Sequence, residues 1–98
     1  MTDEKIPIIL CCGANGRAVV YGRVEQTPVK GEPVVLHDAR MVLSWSSECG
    51  GLLGLAAGGP KGSTRITATV SEVGETVWQE YITVTERAAD AIDKWGAA

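Results

Sequence analysis

Turn-forming residues break this chain at short intervals, and the stretches between them are rich in Val, Ile and Thr. The breaks are Gly13-Ala14-Asn15-Gly16, residues 28–33, His37-Asp38, residues 58–63 and Gly74-Glu75. Short β-branched runs bounded by such signals read as strands of a β-rich domain. Six runs follow. Residues 6–12 form the first. Residues 17–25 form the second, and Asn15-Gly16 suits a tight hairpin between the two. The third is residues 33–37 and the fourth residues 40–46, with His37-Asp38-Ala39 as a tight turn or a bulge between them. In the fourth, Met41, Leu43 and Trp45 share one face, and Arg40, Val42 and Ser44 the other. Residues 64–71 and 77–84 are the last two, a hairpin over Ser71-Glu72-Val73-Gly74-Glu75. In the sixth, Trp78, Ile82 and Val84 share one side.

Two stretches read as helices. Thr85 is a good N-cap, and Glu86 in the first turn favours the helix dipole. Ala88, Ala91, Ile92 and Trp95 make one narrow apolar stripe, and Gly96 ends it. The other stretch is 51–57, where Leu52, Leu55 and Ala56 can share a face. Two turns are stable only when packed, so this piece is placed as a crossover between the fourth and fifth strands.

Composition excludes several classes. The chain has 98 residues, 45% hydrophobic and 21% charged, which is a globular balance for a single domain, 1–98. It contains no Phe, so bulk comes from Val, Ile, Leu, Trp45, Trp78 and Trp95. The net charge is −3. The acids concentrate after residue 71, and no basic stripe marks a duplex nucleic-acid surface. No apolar run is long enough to span a membrane. Three cysteines without a secretion signal suggest free thiols in a reducing compartment.

Six of the twelve glycines fall in residues 49–62, CGGLLGLAAGGPKG. A phosphate-cradling loop needs G-x-x-x-x-G-K-[ST]. Gly54 and Gly59 have that separation, but Pro60 stands at the lysine position and supplies no N–H. The stretch therefore reads as a short apolar helix flanked by glycines and touching the sheet closely. A looser anion nest remains at Lys61, Arg65 and the N–H groups of Gly58, Gly59 or Gly62. The cysteines and the single histidine lack metal-site spacing, since Cys11 and Cys12 point to opposite faces of a strand. Cys49 with His37 is the remaining nucleophile–base pairing. Trp45 is either core or, with Arg40 and the Ser44, Ser46 and Ser47 hydroxyls, a recognition surface. Arg40 lies on the opposite strand face, so an oligomer would have to unite them.

Val35, Leu36, Ala39, Arg40 and Trp45, followed by Leu52, Leu55, Ala56 and Gly58, form a pattern. It resembles an uncharacterised family of small phage and prophage proteins. Thr85, Ala88 and Ile92 in ITVTERAADAI match its closing strand and helix. The resemblance covers roughly residues 17–95 and departs at Val42, Leu43 and Ser44, where the family carries an aromatic-rich strand. It implies the cytoplasm of an infected bacterial host, and a role performed by binding.

The expected fold is α+β. It has a curved, mostly antiparallel sheet of about six strands, open or barrel-like, with a short crossover helix and a C-terminal helix. The expected function is a non-enzymatic accessory binding protein. It would be a homo-oligomer that sequesters a small anionic ligand, a host immune nucleotide messenger, through Arg40, Trp45, Ser47, Lys61 and Arg65. No cofactor, metal or catalytic residue is expected. The alternatives are an inhibitor that binds a host protein through a strand edge or its acidic C-terminal surface, and a small hydrolase using Cys49 or His37.

Overall fold

The computed structural model describes residues 5–13 and 17–98. Six strands, β1 (Ile6–Cys12), β2 (Ala18–Val24), β3 (Val34–Ser44), β4 (Arg65–Ile66), β5 (Val70–Thr76) and β6 (Trp78–Thr83), join two helices, α1 (Gly51–Gly58) and α2 (Glu86–Lys94). A single 3-10 turn, Ser47–Cys49, leads into α1. The fold is α+β, with one antiparallel sheet in the order β4-β3-β2-β1-β6, and β5 beside the first half of β3. β1 and β2 pair from Cys12↔Ala18 to Ile6↔Val24. The expected Asn15-Gly16 turn lies outside the described residues.

Bulges decide which face each side chain takes. The third and fourth expected runs are one strand, β3, and His37-Asp38-Ala39 is a bulge within it. Two steps along β2, Tyr21 to Arg23, oppose three along β3, Arg40 to His37. The extra residue is Asp38, with a left-handed φ of 51°, a conformation Asp tolerates better than most residues. Leu36 and Ala39 therefore share one core, although three residues apart. Arg40 and Val42 turn to the other face and are buried, while Met41 and Leu43 are exposed. The expected Met41–Leu43–Trp45 core face is thus reversed. Trp45 does pack on a core, with Leu52 and Trp95. It follows the end of β3, so strand alternation no longer sets its direction.

The last hairpin does not form. Gly74 falls in another bulge, where Thr76 to Val73 opposes Val34 to Leu36. The chain runs on through it instead of turning. β5 lies along β3, and after Val77 the chain continues as β6 along β1. The sheet curls, but β5 and β6 share no ladder, so it is not closed into a barrel. The expected fifth strand divides into β4 and the start of β5. Thr67 leaves the ladder between them, giving its N–H to Met41 O and accepting from Met41 N–H, both at 2.9 Å. A register shift at Cys11/Cys12 also moves Trp78 off the Ile82–Val84 face.

Both sheet faces are covered. On one, Ile9, Val19, Tyr21 and Val42 meet Leu55, Ala56, Ala88 and Ile92 from the helices. On the other, the curl encloses Ile8, Leu10, Val20 and Leu36 against Trp78 and Tyr81. β1 reads as a continuous apolar run because it is central and buried on both faces. Thr85 fastens the helices together. It caps α2 by accepting from Ala88 N–H at 3.1 Å, and its own hydroxyl donates to Ala57 O of α1 at 2.8 Å. Gly59, with φ 91°, ends α1 where a Cβ would stand 2.9 Å from Ala91 Cβ. The close approach is therefore to α2, where the glycine-flanked helix was expected to touch the sheet.

Tyr21 and Arg23 tie α2 to the sheet through one carboxylate. The Tyr21 hydroxyl donates to Asp93 Oδ1 at 3.0 Å, and Arg23 donates to both Asp93 oxygens at 3.1 and 2.8 Å. Burial pushes the Tyr21 hydroxyl well above its ordinary value, against the opposing pull of Arg23. The fold thus favours neutral tyrosine. Its contribution is complete below pH about 10 and is lost as pH rises beyond that value. The Cys11 and Cys12 thiols, also raised by burial, act in the same sense from pH about 9. Tyr21→Phe should cost about 1 kcal/mol at neutral pH and flatten the alkaline loss. Urea midpoints from neutral to alkaline pH measure both. An alkaline slope equal to wild type would refute the assignment.

Candidate functional site

Of the five candidate contacts, Arg40 lies inside, while Trp45, Ser47, Lys61 and Arg65 belong to two adjoining segments, 44–49 and 61–65, joined by a Ser46 N–H bond to Thr64 Oγ1 at 3.2 Å. Arg40 is 3% exposed. Its Nε donates to Thr67 O at 2.7 Å, and a terminal nitrogen donates to Ile92 O in the last turn of α2. Its charge faces the negative end of that helix, so it acts as an internal cap. Trp45 is half-buried against the helix-side core. Ser47, Lys61 and Arg65 are exposed. Arg65 stands opposite Ser44, and the Lys61 carbonyl accepts from Thr64 Oγ1 at 2.6 Å. The expected anion nest faces an acid, since a Cβ on Gly62 would lie 2.2 Å from Glu48 Oε1. That carboxylate opposes a second negative charge at the turn.

Cys49 and His37 occupy different surroundings. The buried Cys49 thiol lies 3.3 Å from Thr64 Oγ1, whereas His37 Nε2 lies 3.6 Å from Glu25 Oε2. His37 and Glu25 border an open groove of about 430 Å³ along the β2–β3 loop, with Glu32, Pro28 and Val35. Among the described residues no three His, Cys, Asp or Glu side chains could together hold a metal ion. No helix among them is long and apolar enough to cross a membrane.

The most developed surface feature is the outer edge of β6. This strand ends the sheet and pairs with β1 on one side only. Val84 N–H donates to Pro7 O at 3.0 Å. Counting back by twos from Val84 turns Ile82 and Glu80 toward β1, so the backbone groups of Thr83 and Tyr81 face outward. Gln79 O also faces outward and accepts from Lys30 Nζ at 3.1 Å. Beside this edge runs an open groove of about 610 Å³, walled by Leu52 and Leu53 of α1, Tyr81, Ile82, Pro28 and Lys30. Leu53 is 70% exposed.

One end of the groove is held firmly. Trp78 Nε1 donates to Glu32 O at 2.7 Å. Its ring meets Tyr81 edge-on at 5.6 Å, and Lys30 Nζ lies 5.7 Å from its centroid. At the opposite side of the sheet the outer strands are β4 and β5. β4 is two residues long, and Ala97 bridges to its Ile66 with an Ala98 N–H bond to Ile66 O at 2.8 Å. Beside it, β5 is bulged.

A strand edge was among the surfaces expected from the sequence, but not β6, and not Lys30, Leu53 or Tyr81. One signal was available. Leu53 is a large apolar residue outside the Leu52–Leu55–Ala56 stripe of a two-turn helix, so folding α1 onto the sheet leaves it exposed.

No curated protein and no solved structure matches the chain. A family model described as a domain of unknown function (DUF6948) matches residues 5–95. That span takes in the sheet from β1 to β6, both helices and the groove between α1 and β6. The chain therefore belongs to this family.

Proposed function

We propose that this protein is a non-catalytic binding module that engages another polypeptide as an added strand along β6. The observation that carries the reading is the outward-facing backbone of Tyr81 and Thr83 beside the α1 groove. An edge of this kind binds extended chain by main-chain hydrogen bonds, and the flanking groove selects its side chains. The Leu52–Leu53 wall favours apolar side chains at alternate positions. The resemblance to small phage and prophage proteins fits such a role, because some small accessory proteins of that kind act by blocking a host protein.

Selection from a displayed random-peptide library tests the reading. Enriched peptides should alternate apolar and polar residues. They should lose about tenfold or more in affinity for a Thr83→Pro variant. Proline at 83 removes only an outward N–H and leaves the β1 ladder intact. Peptides that bind the Thr83→Pro protein as well as wild type would exclude strand addition at β6.

A further inference from the structure

We infer that the strand added to β6 is the β6 of a second copy of this chain, forming a two-fold dimer with one continuous sheet. The inference rests on the proposed use of the β6 edge. Its basis is self-complementarity. A C2 interface requires that the same patch match itself. With the axis at Tyr81, antiparallel pairing sets Tyr81 against the partner's Tyr81. Both residues have outward N–H and C=O groups, so they can exchange two hydrogen bonds. Gln79 then faces the partner's Thr83, and Glu80 faces the partner's Ile82. No like charges stand directly opposite, which is the condition for a stable cross-strand pair.

Charge and apolar surface point to the same arrangement. Lys30 is fixed at the Gln79 end of the edge. Antiparallel pairing brings that end to the partner's Thr83, just before the partner's Glu86 in the first turn of its α2. A cation at one end of the edge and an acid at the other complement each other twice across the axis. The axis stands perpendicular to the sheet, so both α1 helices lie on one face. Leu53, 70% exposed in the single chain, then meets the partner's Leu53 across the seam. The outward backbone of Tyr81 and Thr83 carries no proline or lysine of its own, while Glu80, the bulge at Gln79 and Lys30 guard the other end of the edge.

Sedimentation equilibrium and native mass spectrometry of the whole chain test this. Wild type should have twice the 10.3 kDa chain mass. Thr83→Pro should be monomeric, with wild-type circular dichroism. Lys30→Glu should weaken association by about tenfold, and Lys30→Glu combined with Glu86→Lys should restore it. A monomeric wild type overturns the dimer. In that case peptides that bind wild type and fail on Thr83→Pro keep the edge reading alive. A dimer that survives Thr83→Pro uses another face and also overturns the inference.

Discussion

Gly54→Ala should destabilise the protein by about 3 kcal/mol, although the substitution usually stabilises a helix interior by about 1 kcal/mol. Gly54 lies inside α1. A Cβ there would stand 1.9 Å from Cys49 O and 2.8 Å from Cys49 C. Both atoms are backbone, so no side-chain rotation relieves the overlap. Cys49 cannot retreat freely either. Its N–H donates to Ser46 O at 3.0 Å, and its thiol is buried against Thr64. The first turn of α1 must therefore lift, which draws Leu55 and Ala56 out of the helix-side core. Loss of that packing sets the scale of the effect. Equilibrium urea denaturation measures it. A Gly54→Ala protein as stable as wild type would show that the close contact at Cys49 is unimportant.

Arg40→Met should cost about 3 kcal/mol. Methionine keeps much of the aliphatic stem but donates nothing to Thr67 O or Ile92 O. A buried and a half-buried carbonyl lose charge-assisted bonds, and the C-terminal turn of α2 loses its internal cation. Arg40→Lys should fall between the two, because one ammonium cannot reproduce the guanidinium fork. The same urea series separates a structural role from a ligand-binding one. A ligand contact would leave unfolding unchanged when replaced, so a cost below about 1 kcal/mol would contradict the cap.

The two helices were legible from local sequence. Thr85, Glu86 and the Ala88–Ile92 stripe specified α2 because caps and helical periodicity act over one or two turns. The glycines of residues 49–62 marked a short packed helix for the same local reason, and Pro60 alone was enough to set aside a phosphate loop. The β-branched runs located β1, β2 and β6 within a residue or two.

The sequence marked His37-Asp38-Ala39 as a turn or a bulge, but which faces the bulges exchange and how the strands are ordered were beyond that reading. Asp38 inserts one residue into β3 and exchanges the faces of everything after it. Arg40, expected beside a ligand, becomes the buried cap of α2, and Met41 and Leu43 become solvent-facing. The Gly74-Glu75 signal suits a turn in the local sequence, yet pairing with β3 carries the chain straight through it. Side-chain alternation has a period of two, so one extra residue inverts a whole strand, and only its partners reveal the extra residue.

The sequence by itself therefore determined the class of fold, the capped C-terminal helix and the glycine-framed α1, because those depend on contacts between near neighbours. The tertiary structure alone decided that β6 ends the sheet, that Lys30 and Leu53 flank its open edge, and that Arg40 lies inside. Each of these depends on which distant strands pair and in what register, a choice made by burial across the whole sheet.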